Sequence, residues 1–250
     1  MAHQDPWLEL EREWDRWRAE GRSATLWLRD DDACRPGPRL DRLLKLTAAV
    51  PLGLAAIPAQ MEPALAAALA PYPRVRVLQH GFRHKNHAPA GEKKAEFGPH
   101  RPIAQMRAEV RQGWQSICAL FSERAVGIFV PPWNRIDPEL VGLLPACGPA
   151  LLSIYGARTI GQRQDRVNTH VDIIDWRGKR GFVGEAAALA AIRRHLAARR
   201  EDLVDPDEPT GILTHHGDHD ADCWTFLERL LERSLAHPAV RWPDPADRHD

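Results

Sequence analysis

The sequence has 250 residues with 44% hydrophobic side chains, enough for one barrel-sized domain with a sizeable core. Lysine plus arginine and aspartate plus glutamate both number 34, and the arginines are scattered, so charge gives no case for a nucleic-acid or membrane-surface partner. The four cysteines (Cys34, Cys118, Cys147, Cys223) are far apart, which argues against a zinc knuckle or a disulfide scaffold and for inert buried thiols, Cys34 being the one most open to oxidation.

The opening residues Met1-Ala2-His3-Gln4-Asp5-Pro6 carry an acid early and lead into no apolar h-region, so no secretory signal is expected. No run of 18 apolar residues occurs, so no membrane span is expected, and the sequence reads as that of a cytoplasmic protein. Residues 6–21 are predicted as an amphipathic helix with Trp7, Leu10, Trp14 and Trp17 on one face, and those tryptophans read as packing. A strand follows at 24–29, a helix at 38–49, a buried strand at 51–57, an alanine-rich helix at 61–70 and a strand at 75–79. The stretch 88–102, rich in Pro, Gly and Lys, reads as a loop over the site, its Glu92-Lys93-Lys94 solvated. A helix is predicted at 103–121, a strand at 126–130, a short helix at 137–146, strands at 150–154 and 171–174, a helix at 184–200, a strand at 211–214 and a last helix at 221–236.

Strands alternating with helices predict a parallel sheet, and this many units in one domain predict an α/β fold closed as a single (β/α) barrel over residues 23–242. Helix 1–22 is expected to pack on it, and 243–250 to form a polar tail. Chemistry in such barrels lies at the C-terminal ends of the strands. Four clusters fall there: Asp30-Asp31-Asp32 after Arg29, His80 and His84 with His87 three residues on, Pro131-Pro132-Trp133-Asn134, and His215-His216. Adjacent carboxylates raise one another's pKa, and a divalent cation relieves that repulsion. One carboxylate then serves as ligand and a neighbour as general base, while imidazoles supply nitrogen ligands. Each cluster also has a plainer reading, as a solvated turn, a surface histidine pair or a rigid Pro-Pro turn.

In chain order these pieces resemble the polysaccharide deacetylase superfamily (carbohydrate esterase family 4), in particular a short cytosolic bacterial branch of it. The residues carrying the resemblance are Asp31-Asp32-Ala33, His80-Gly81-Phe82-Arg83-His84, Val130-Pro131-Pro132-Trp133, Val171-Asp172-Ile173-Ile174-Asp175-Trp176 and Leu213-Thr214-His215, which span most of the chain. The resemblance implies a distorted seven-stranded deacetylase-type barrel. It implies that Asp32, His80 and His84 hold a divalent metal, Zn²⁺ first, with Co²⁺, Ni²⁺, Mn²⁺ or Fe²⁺ also suited to an Asp/His₂ set. It implies Asp31 as general base, His215 as general acid held by Asp175, the backbone N–H near Trp133 as oxyanion donor, and Trp176 as a pocket wall. The alignment one residue back, with Asp30 as base and Asp31 as ligand, stays open.

The sequence departs from the family pattern where Val130 replaces an arginine that anchors the base, and Arg29 is the available substitute. His216 is a second candidate acid, His87 and His170 are candidate extra ligands or substrate contacts, and Asn134 offers an amide to a sugar hydroxyl. The implied activity is metal-dependent hydrolysis of a C–N amide bond, N-deacetylating a sugar or sugar conjugate, on a small-molecule or oligosaccharide substrate. Two other readings stand beside it: hydrolysis of a non-sugar amide on the same fold, and a catalytically silent carbohydrate-binding protein.

Overall fold

In a computed structural model describing residues 5–160, 166–245 and 247, the apolar runs pair into one sheet. Its strands are β1 (Ala24–Ala33), β2 (Leu52–Ala56), β3 (Val75–His80), β4 (Ala125–Val130), β5 (Leu151–Leu152), β6 (Val171–Asp172), β7 (Thr210–Thr214) and β8 (Val240–Arg241). They run in the order β5-β4-β3-β2-β1-β7-β6, all parallel, with β8 paired to the start of β1. The central strand β1 is buried along most of its length, as the continuous run Leu26-Trp27-Leu28 requires of a strand covered on both faces.

The sheet curls until its two ends meet. Val167 N–H donates to Leu152 O at 3.0 Å and Thr169 N–H to Ile154 O at 2.9 Å, after which Val171 and Asp172 pair with Ile212 and Leu213 of β7. One segment thus touches β5 on one side and β7 on the other. The result is the distorted seven-stranded (β/α) barrel expected from the sequence.

Among the described residues seven helices clothe it: α1 (Pro6–Ala19), α2 (Pro38–Leu46), α3 (Ala64–Leu69), α4 (Ile103–Phe121), α5 (Pro138–Val141), α6 (Glu185–Arg200) and α7 (Ala221–Ala236). Asp5 caps α1 by accepting from Trp7 N–H at 3.0 Å. Trp7, Trp14 and Trp17 are buried, and Glu13 of α1 takes Arg200 of α6 at 2.7 Å, so the tryptophan helix is packing, as read. Several elements are shorter than predicted. The helix expected at 38–49 stops at Leu46, where the Thr47 hydroxyl turns back onto Leu43 O. The helix expected at 137–146 keeps one turn before Pro145. Part of the predicted tail, residues 246 and 248–250, lies outside the described residues, as do residues 1–4 of the opening segment. Asp244 of that tail pairs with Arg76 at 2.7 Å.

One departure matters for the site. β1 is predicted to end at residue 29 but runs on to Ala33, carrying all three aspartates within it. Its register against β2 slips between Asp30 and Ala33, and Asp32 has φ 70°. Such a bulge breaks the two-residue alternation and re-aims side chains.

Candidate metal centre

The three aspartates of β1 take three different partners. Asp30 is fully buried, and its carboxylate accepts from the Thr214 hydroxyl at 2.7 Å and the His216 N–H at 2.9 Å, with His216 Nδ1 2.5 Å away. Asp31 meets Arg29 fork to fork, Nε to Oδ1 at 2.9 Å and Nη2 to Oδ2 at 3.0 Å. Asp32 turns its Oδ1 to His80 Nε2 at 3.1 Å and His84 Nε2 at 3.4 Å.

Arg29 sits on β1 with no exposed surface. Besides Asp31 it donates to the Ser153 hydroxyl at 2.7 Å, Ser153 O at 3.2 Å and Asn134 Oδ1 at 3.1 Å. It is thus the arginine of Asp31, while Val130 is a buried apolar side chain. The Oδ1 of Asn134 is engaged here, in bracing Arg29.

His80 ends β3, and its Nδ1 lies 3.0 Å from Val130 O. A carbonyl only accepts, so Nδ1 carries a proton, and Nε2 is the nitrogen left to face a cation beside Asp32. Four residues on, His84 packs against Trp133 with ring centroids 4.5 Å apart. Seven non-glycine residues have positive φ among the described residues, and four of them are Asp32, His84, Trp133 and Asn134. Left-handed backbone at ordinary residues costs about 1–3 kcal/mol each and clusters at working sites. Between the histidines, Phe82 and Arg83 donate their N–H groups to Glu96, a buried carboxylate from the 88–102 loop, just past Glu92-Lys93-Lys94.

Across the pocket, His215 follows β7. Trp176 stands edge-on to it at 4.7 Å and donates Nε1–H to Asp172 Oδ2 at 2.8 Å. Asp175, the expected partner of His215, instead accepts from Arg177 N–H at 3.2 Å and Gly178 N–H at 2.9 Å, capping its own turn. The charges of Asp172, at the end of β6, and of Asp32 both interact with that of His215. His215 Nδ1 is buried and without a hydrogen-bond partner.

His87 lies apart from the ligand set; its N–H bonds Ala95 O. His170 precedes β6, at the end of that strand opposite Asp172, and stacks on His195 at 3.5 Å and 18°, with Nε2 3.2 Å from Glu208. These three groups have metal-ligand chemistry, but their arrangement does not suit an ion. Gly211 N–H donates to His170 Nδ1 at 2.8 Å, which puts the ring proton on Nε2, toward Glu208. Two nearly parallel rings also cannot both aim an in-plane lone pair at one point between them.

Burial would push the carboxyls of Asp30 and Asp32 up. The His216 charge and hydrogen bond outweigh it at Asp30, and the His80, His84 and His215 charges outweigh it at Asp32; both are held below the usual carboxylate range. Burial, then the His80 charge, pushes His84 down, toward the neutral form that ligates metals. Burial pushes Asp172 up.

The residues fit a divalent cation. Asp32 Oδ1 is buried without a hydrogen-bond partner, and the three donor atoms, one carboxylate oxygen and two imidazole nitrogens, lie within 4.8 Å of one another. His80 has the required tautomer, and a three-ligand set leaves positions open for water and substrate.

No protein-family model and no curated protein matches the sequence. Solved structures match it in fold. A Mycobacterium smegmatis protein assigned to the polysaccharide deacetylases aligns with TM-score 0.60 and 14% identity over 89% of this chain and 87% of its own. A family 4 carbohydrate esterase from Streptomyces lividans, in complex with acetate, aligns with TM-score 0.56 and 18% identity over 87% and 90%. A mutant family 4 pseudoenzyme with restored enzymatic activity aligns with TM-score 0.56 and 14% identity over 88% of this chain and 65% of its own. The chain has the fold of these proteins, as the five motifs implied. That fold holds both active and inactive members, so activity depends on the side chains it carries.

Proposed function

Taking the family 4 esterase fold as premise, we propose that this protein is a metal-dependent amide hydrolase that removes acetyl groups from an N-acetylated sugar or sugar conjugate. The observation that carries the reading is the buried, unbonded Asp32 Oδ1 facing His80 Nε2 and His84 Nε2, with His80 held in the ligating tautomer by Val130 O. Asp32, His80 and His84 are the ligands, Zn²⁺ the first candidate ion. A divalent cation held there supplies a Lewis acid for the acyl carbonyl and eases deprotonation of water.

The protein's own groups carry the protons. Asp31, oriented by the Arg29 fork, takes the proton of the attacking water. The backbone beside Trp133, in its left-handed turn, stabilises the oxyanion of the tetrahedral intermediate. His215 delivers a proton to the departing amine, so that the C–N bond breaks to a neutral amine and acetate. Asp172 replaces Asp175 as the carboxylate supporting His215, acting through its charge and through Trp176. His216 belongs to Asp30 and leaves the acid role to His215.

The silent-binder reading rested on valine at position 130. Arg29 pairs with Asp31 from the same strand, which supports catalysis without an arginine at 130. The test is acetate release from N-acetylglucosamine oligomers and nucleotide-linked N-acetyl sugars by the Zn²⁺- or Co²⁺-loaded protein. Release is expected from wild type and absent from the Asp31→Asn/Asp32→Asn double variant; equal release from both sinks the proposal. Turnover confined to non-sugar amides would move the substrate class and keep the chemistry.

A further inference from the structure

The turn between His80 and His84 is held by a side chain that the chemistry above does not use. Glu96 has no exposed surface. Its Oε2 accepts from Phe82 N–H at 3.1 Å and its Oε1 from Arg83 N–H at 2.7 Å. Both donors lie inside the His-x-x-x-His segment, and each takes a different oxygen of the carboxyl group.

The sequence around the turn is shaped to admit this carboxylate. A Cβ at Gly81 would stand 2.2 Å from Glu96 Oε2 and 2.6 Å from Pro132, and Gly81 has φ 55°, so position 81 needs glycine for space and for conformation. Glu96 is anchored in turn. Its carbonyl accepts from Arg101 Nη1 at 3.0 Å, and Arg101 pairs with Glu109 of α4 at 2.8 Å. A continuous line of contacts therefore runs from α4 to the turn bearing His84, whose own φ of 55° persists only if its surroundings impose it.

We propose that Glu96 is the positioning residue of the metal centre: by accepting the Phe82 and Arg83 N–H groups it fixes the turn that holds His84 Nε2 against His80 Nε2 and Asp32 Oδ1, so the ligand set is formed before a cation arrives. The inference rests on the Asp32/His80/His84 reading above. It assigns the 88–102 loop the task of shaping the ligand set from behind.

The test uses the full-length protein titrated with Co²⁺ alone, followed by visible absorption and chelator competition, in wild type, Asp32→Ala, Glu96→Gln and Glu96→Ala. Glu96→Gln keeps the shape but loses one acceptor. Outer-sphere partners of this kind are worth about 10–100-fold in metal affinity. The expected result is binding weakened about tenfold in Glu96→Gln and up to about 100-fold in Glu96→Ala. The Co²⁺ band should change as His84 leaves the set, in Glu96→Gln as in Glu96→Ala, with metal-free melting lowered most in Glu96→Ala, where two buried N–H groups lose their acceptor. A merely structural loss would lower metal-free melting and leave the band of the bound ion unchanged. If Glu96→Ala does not fold, Glu96→Gln decides. Wild-type affinity and band in the Glu96 variants overturn the role of Glu96. Wild-type binding that survives Asp32→Ala overturns the ligand assignment itself, and with it this role.

Discussion

Asp30 and His216 are each other's partner: the residue before the aspartate pair and the residue after His215, surplus to the motifs on either side, meet at 2.5 Å between β1 and the end of β7. The pair ties the strand carrying Asp31 and Asp32 to the turn carrying His215, so the two halves of the proposed chemistry share one buried joint.

Truncating His216 leaves a buried carboxylate without its cation, which costs about 3–5 kcal/mol. The Asp30→Asn/His216→Ala double variant should lose less than the sum of the two single variants, with a coupling of about 0.5–3 kcal/mol. Urea unfolding of the four proteins measures this; strict additivity would show that the two side chains are neighbours without being coupled.

Arg29→Lys keeps the charge and loses the fork that grips both oxygens of Asp31. Deacetylation should fall by about 10²-fold or more, the order expected for a misplaced general base, while Co²⁺ binding persists. An active Arg29→Lys protein would mean that Asp31 needs no orientation.

His215→Ala should cost about 10²–10⁴-fold on an amide, whose amine leaves only when protonated. It should cost far less on an aryl acetate, whose phenolate departs unaided. Asp172→Asn should follow His215→Ala in that selectivity, and Asp175→Asn should not, because its carboxylate caps a turn. Equal losses on both substrates would remove His215 from the acid role.

Burial, then the charges of His170 and Arg199, pushes His195 down to about 2 from its ordinary 6.5. Between those values the unfolded chain binds the extra proton, so the contribution of His195 is complete above its unfolded pKa and is lost as pH falls below it. From about pH 7 to about pH 5 this amounts to about 2 kcal/mol. His195→Gln should flatten the acid side of the stability curve by that amount, read from urea midpoints at the two pH values. Parallel curves would show that His195 is already free to protonate in the folded state.

What was legible in the sequence was whatever left a mark in residue type. The barrel was readable because parallel strands are apolar on both faces, and Asp32, His80 and His84 because few other residues ligate metals. Asp172 and Asp175 were both in view, the first on the strand predicted at 171–174 and the second just beyond it, but residue type does not say which carboxylate supports His215. Glu96 left no mark, since its partners are backbone N–H groups that any residue supplies, and it sits in a Pro/Gly/Lys-rich stretch without periodicity. Barrel closure left none either, being made by short bridges such as Leu152–Arg166 and Tyr155–Thr169 rather than by an apolar run.

The Arg29–Asp31 fork joins two residues that are neighbours on one strand. A contact of such short range closes almost no loop, so it costs little chain entropy and can form with β1 itself. An arginine at position 130 would have to wait for β4 to dock, roughly a hundred residues of chain later. Here the aim of the proposed base is set locally, and distant Asn134 and Ser153 only have to recognise an arginine already in place.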